Sequence, residues 1–188
     1  MTTTSHTMPV QSKQPIRTDR WLLRPKVRKA TLVVHVASAG AWIGIDVIVG
    51  VLVFAGWFGG DTAVRGVAYE ALALFVVWPM LVSGLTCLVS GLVLGLGTKW
   101  GLVRYWWVAV KLVLNVVLCT VIVLVLRPGM GEVRAYGHEL SSGGNPAPET
   151  VSFLFFPPAV SLTVLTFATV LAVFKPWGRL RRGGTGRR

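Results

Sequence analysis

Three ionisable side chains stand inside long apolar runs of this 188-residue chain: His35, Asp46 and Lys111. A charge at the centre of a bilayer costs about 2.5–3.5 kcal/mol even on the lenient insertion scale, so each of them needs a partner or a use. A neutral imidazole in a dry helical bundle has two chemistries open to it, ligation of a haem iron or relay of a proton, and its neighbours decide between them. His35, Trp42 and Asp46 recur at intervals of seven and four. At ~100° per residue they share one helix face within about 40° of one another, with Ser38 and Ala39 alongside. Lys111, Asn115 and Cys119 make a second polar line at i, i+4 and i+8. The candidate cofactor-binding residues are therefore His35, Lys111 and Trp42, with Asp46 and Asn115 as further polar groups in the apolar segments.

The elements that position them follow from composition. Hydrophobic residues make up 53% of the chain and charged ones 14%, with a mean hydropathy of +0.65, which no water-soluble core requires. Four runs, at about 30–58, 67–96, 102–126 and 152–174, reach the roughly 20 residues that a helix needs to cross hydrocarbon. They are continuous and rich in Leu, Val and Ala, not the short alternating segments of a membrane barrel. The expected fold is an all-α, integral-membrane four-helix bundle over residues 30–176, between a basic tail at 1–29 and another at 177–188. An outer loop with little regular structure is expected at 128–151, where Pro128, Gly129, Gly131, Gly137, Gly143, Gly144, Pro146 and Pro148 cluster.

A formal net charge of +12 would suggest nucleic acid if the cations made a folded face, but they sit at the ends of the runs. The stretches 1–29 and 175–188 and the short turn holding Lys99 and Arg104 carry fifteen of the nineteen Lys and Arg, against three in the other two connectors (Arg65, Arg127 and Arg134). That asymmetry places both termini in the cytoplasm, facing an anionic leaflet. Trp21-Leu22-Leu23, set among Arg20, Arg24 and Lys26, reads as an interfacial segment. Ala37-Ser38-Ala39 imitates a signal-cleavage site, but the polar region before it is too long and the apolar run continues past it.

Under this topology the first and third spans run in the same direction, and His35 and Lys111 reach similar depths, about 8 and 13 Å from their helix starts. Asp46 lies further along, where Arg127 or Arg65 is the expected partner. Cys87 and Cys119 are expected as free thiols, at depths about 11 Å apart. Gly91-x-x-x-Gly95 is expected to serve close helix packing, Pro79 to open the backbone ladder near mid-membrane, and the hydroxyls of Ser161, Thr163, Thr166 and Thr169 to bond their own helix.

The spacing His35, six residues, Trp42, one residue, Gly44 near the start of a first span resembles that of the copper-resistance D-type membrane proteins. It is also similar to the haem-containing bacterial protoporphyrinogen oxidase family, whose third helix carries a lysine at a place Lys111, in Trp107-Val-Ala-Val-Lys111, would fill. From His35 through Gly95 and Lys111 to Lys175-Pro176-Trp177-Gly178, most of the chain resembles an uncharacterised family of small four-span bacterial proteins, which implies a bundle in the inner membrane but no activity. Departures matter. A four-helix cytochrome b holds haem between buried histidine pairs, whereas His6 lies in the tail and His138 in the outer loop. A haem b would rest on His35 with Lys111, with a thioether such as Met80, or with an open position. Four scattered methionines do not make a copper site, and no phosphate loop, nucleophile elbow or His-Glu-x-x-His pair is present.

The expected function is that of a membrane bundle acting through a bound ligand or a partner, whether a second copy or another membrane protein, and not through nucleic acid. Haem binding at His35 and Lys111 is one alternative, and a proton-coupled carrier of a small solute or ion, using His35, Lys111 and Asp46, is another. A purely structural role for the three ionisable groups stands beside both.

Overall fold

The computed structural model describes residues 23–97 and 106–174, and among them every regular element is helical. The first helix starts earlier than the apolar run, because Pro25 occupies its first turn, where proline's missing N–H costs nothing. It then continues unbroken as α1, Pro25–Phe58. At ~1.5 Å per residue its 34 residues extend about 51 Å, well beyond a ~30 Å hydrocarbon core. Gly59 closes it, donating its N–H to the Ala55 carbonyl at 2.9 Å. Asp61 then caps α2, Thr62–Phe75, by accepting the Ala63 N–H at 2.9 Å.

The second apolar run divides at Val76 into α2 and α3, Val77–Leu96. Pro79 is the cause: it has no N–H to donate to Phe75, and its ring crowds that carbonyl, so the ladder opens one turn earlier. The break expected in mid-span therefore falls at the junction of two helices, and Pro79 lies in the first turn of α3.

The third run is longer than expected. α4, Trp106–Val121, passes through a π-helical turn, Ile122–Leu126, directly into α5, Arg127–Ser141. The segment expected as an irregular outer loop is thus largely helical, since a 3-10 stretch at Pro148–Phe155 then leads into α6, Phe156–Phe174. Local physics explains the difference. In the π turn the Arg127 N–H reaches back to the Ile122 carbonyl, and this change of register lets Pro128 sit in a first turn without breaking the rod. Gly137 serves packing, whereas Gly143, at φ +82°, makes the turn that follows α5: a Cβ on Gly66 would lie 2.6 Å from the Gly137 carbonyl, and one on Gly137 would lie 2.8 Å from the Gly66 carbonyl. α2 and α5 cross there backbone to backbone.

Among the described residues, four helical stretches are long and apolar enough to cross a membrane: Pro25–Phe58, Val77–Leu96, Trp106–Ser141 and Pro148–Phe174. α1 packs on α3 and α6, and α4 packs on the same two, so α1 and α4 face each other along a diagonal. Beyond this bundle α2 and α5 form a cap against the last turns of α1, where Arg65 Nε donates to the Gly56 carbonyl at 2.8 Å and the Tyr69 ring covers Gly56. One core runs through both layers, from Leu165, Leu118 and Trp42 through Val49, Val53 and Leu72 to Tyr69, Val133 and Tyr136. Large apolar side chains such as Leu32, Val51, Phe54 and Phe174 stay exposed on the outside, as suits an apolar surrounding.

Trp42 is fully buried, and its ring fills the place of a side chain on α3: a Cβ at Gly84 would meet Trp42 Cζ3 at 2.8 Å and Cys119 Sγ at 3.0 Å. Gly84→Ala should therefore overpack the bundle and lower its stability by about 1–3 kcal/mol. Gly44, whose Cβ would meet nothing within 4 Å, should accept alanine with no loss, or a gain of up to about 1 kcal/mol. Thermal unfolding of the two variants in the same detergent is the check, and equal effects would remove Gly84 as a packing constraint.

Candidate functional site

His35 turns toward α3. Its Nδ1 lies 3.0 Å from the Cys87 carbonyl oxygen and 3.0 Å from Ser90 Oγ. A carbonyl only accepts, so Nδ1 carries the proton and donates it, which leaves Nε2 as the ring nitrogen with a lone pair whenever the ring is neutral. The Ser90 hydroxyl gives its own hydrogen to the Thr86 carbonyl at 2.6 Å and is thereby also an acceptor for His35. The ring can lie so close to α3 because position 91 has no side chain: a Cβ there would stand 3.2 Å from His35 Cε1. Gly91 of the Gly91-x-x-x-Gly95 pair therefore serves packing inside the bundle, and His35 is what it accommodates.

Around this ring is a small polar knot. The Cys87 thiol lies 3.7 Å from His35 Nδ1 and is within hydrogen-bonding reach of Ser38, whose hydroxyl also donates to the His35 carbonyl at 3.0 Å. Lys111, on the diagonal helix α4, is within electrostatic reach of both His35 and Cys87. Its ammonium stands over the Trp107 ring, 4.6 Å from the centroid, a placement that suits a cation. The hydrogen bonds that hold the His35 ring go to α3. The sequence reading missed Ser90; its signal was the helical continuation of Ser83 and Cys87 on the inward face of α3.

The second polar line also forms: Cys119 Sγ lies 3.6 Å from Asn115 Oδ1, one turn back on α4. Both cysteines are free and buried. Their expected separation in depth is too large, because Cys119 sits against Gly84, only one turn of α3 from Cys87. Trp42 is a core side chain, its ring packed over the bare backbone of Gly84 with Cys119 beside the same position.

Asp46 departs furthest from expectation. Neither arginine pairs with it, since Arg65 is held at the Gly56 carbonyl and Arg127 stands over the Trp78 ring at 5.7 Å. Its partner is Ser161 of α6, whose hydroxyl donates to Asp46 Oδ2 at 2.6 Å. Ser161 therefore does not spend its hydroxyl on its own helix, whereas Thr163 and Thr169 do, at 2.7 and 2.8 Å. Asp46 is fully buried, and its Oδ1 has no hydrogen-bond partner; the same is true of Trp42 Nε1 one turn away.

At the opposite end of the molecule, a shallow cavity of about 370 Å³ is lined by Glu70, Gly131, Arg134, Ala135 and His138. His138 Nδ1 lies 3.9 Å from Glu70 Oε1, an exposed contact of small energetic worth. Among the described residues no group of three or more His, Cys, Asp or Glu is placed to hold a metal ion. Of the leading basic tail, Lys26, Arg28 and Lys29 belong to the first turns of α1; residues 1–22, with Trp21, the turn with Lys99 and Arg104, and residues 175–188 lie outside the described residues. No family model, curated protein or solved structure matches the chain.

The tautomer is directly measurable. Nitrogen NMR of ring-labelled histidine, in a chain whose other two histidines, His6 and His138, are replaced, should place the proton of the neutral His35 ring on Nδ1. Ser90→Ala should weaken that preference, and a ring protonated on Nε2 instead would contradict the assignment to the Cys87 carbonyl.

Proposed function

We propose that this is a multi-pass protein of a bacterial inner membrane, with both tails in the cytoplasm, that works by holding a ligand on His35 Nε2. One observation carries the reading: His35 Nδ1 is committed to the Cys87 carbonyl. Ligand histidines characteristically donate the second ring N–H to a carbonyl or carboxylate, which fixes the ring and raises the basicity of the ligating nitrogen. Cys87, Ser90 and the bare backbone at Gly91 perform that service here.

The ligand class these residues fit is a haem b. His35 would be the residue that holds its iron, and the bound group would supply electron transfer or redox sensing. Lys111 takes a role different from the one first expected. A protonated amine has no lone pair for iron, whereas an ammonium held against Trp107 is suited to a carboxylate such as a porphyrin propionate. Trp42 contributes packing alone. The cytoplasmic placement of the tails rests on the distribution of Lys and Arg, and the bacterial membrane on the resemblance to small four-span proteins.

Two measurements test this. Loaded with haem in detergent, the wild-type protein should develop a Soret band that His35→Ala abolishes and Trp42→Phe leaves in place. Lys111→Met should keep the band but weaken haem affinity by about tenfold, the effect of a ~1.4 kcal/mol ion pair. A protein that stays colourless after loading would end the haem reading. For topology, a fluorescent reporter fused to the C-terminus should light up and an alkaline phosphatase fused there should be inactive; the reverse pattern would invert the proposed orientation.

A further inference from the structure

A second intramembrane group lies outside this reading, at Asp46. We infer that Asp46 is a proton-binding site within the bundle, its carboxyl taking up and releasing a proton between Ser161 of α6 and Trp42 of its own helix. The inference rests on the membrane-spanning reading above but not on ligand binding at His35.

Asp46 and Trp42 are both 0% exposed, yet Asp46 Oδ1 and Trp42 Nε1 each lack a hydrogen-bond partner. An ionised carboxylate in such a place, with one hydroxyl donor and no cation, is strongly unfavourable. The nearby cations are engaged elsewhere: Arg65 with the Gly56 carbonyl, Arg127 with the Trp78 ring, Lys111 with the Trp107 ring and the His35 level. The titratable groups facing the core around it are neutral ones: the Cys119 thiol from α4 at the Trp42 level, the Cys87 thiol from α3 one turn away, and Tyr69 of α2 with Tyr136 of α5 in the cap. What remains to compensate the charge is a proton.

The geometry accommodates both states. With the proton on Oδ2, the 2.6 Å contact reverses, and the acid donates to Ser161 Oγ while the serine hydroxyl turns to its own helix backbone, as Thr163 and Thr169 already do. With the proton gone, Ser161 donates to Oδ2, and Oδ1 is left to the unused Trp42 indole N–H one helical turn away, directly or through a water. The exchange moves one proton from a hydronium ion to one carboxylate oxygen, leaving water, and returns it the same way. An intramembrane acid with a switchable hydroxyl partner and an idle donor is what a proton-coupled device needs.

Infrared difference spectroscopy of the full chain in lipid nanodiscs tests this without needing a reagent to reach the site. Carbon-13 labelling of aspartate confines the signal to Asp19, Asp46 and Asp61. The expected result is a carboxylic-acid C=O band, sensitive to deuterium exchange, that disappears as pH is raised, is missing in Asp46→Asn and changes frequency in Ser161→Ala. If Asp46→Asn fails to fold, the frequency change in Ser161→Ala still assigns the band. Asp46 found ionised at every pH overturns the inference, and so does an acid band that pH never moves, which would mark a permanent structural acid. Haem binding lost in His35→Ala with the Asp46 band intact separates failure of one site from failure of the other.

Discussion

The buried indole of Trp42 sets the level at which this bundle closes. It occupies the notch left by Gly84 on α3 and meets Cys119 of α4, so that three helices are registered by one side chain. Other features take their positions from it. On one side, two turns along α1, His35 reaches Cys87, Ser90 and Gly91; on the other, one turn along, Asp46 reaches Ser161 of α6. An apolar, close-packed plug thus separates two polar places that differ in character. One is half-buried and rich in partners; the other is sealed and short of them.

That separation follows from how polar groups are satisfied in an apolar bundle. α3 offers small residues along its inner face, so its backbone carbonyl at Cys87 is near enough to serve a side chain from α1, and the histidine there gains a fixed orientation. α6 offers a lone serine hydroxyl at the level of Asp46, and one hydroxyl satisfies only half a carboxyl. The same helix α1 therefore presents a nitrogen ready to coordinate and an oxygen in need of a proton.

Much of this was legible in the amino-acid order. The inward stripe of His35, Ser38, Trp42 and Asp46 followed from the helical period, and the four apolar segments from length and composition. The line Lys111, Asn115, Cys119 was likewise plain. Partners were not, because a period says which face is inward and not which helix it meets: Asp46 was matched to arginines at the right depth, whereas the nearest donor belonged to a serine 115 positions away. The region from Pro128 misled for a different reason. Its glycines and prolines are loop formers in isolation, but here a π turn admits the proline and a facing helix requires the glycine. Both are tertiary compensations that local propensity does not encode.

The π turn at Ile122–Leu126 sets an angle as well as a register. Such a turn holds one residue more than a regular helix would need, and each residue is worth ~100° of rotation about the axis. α5 therefore leaves it rotated by about that amount relative to an unbroken continuation of α4. This offset points Gly137 at Gly66, where no side chain could be accommodated on either. The five residues work as a shim in a shaft, setting the angle of the cap relative to the bundle. Shortening the shaft by one residue there would restore an ordinary helix and turn the wrong face of α5 toward α2, so the cap's seat is fixed by a count of residues rather than by their kind.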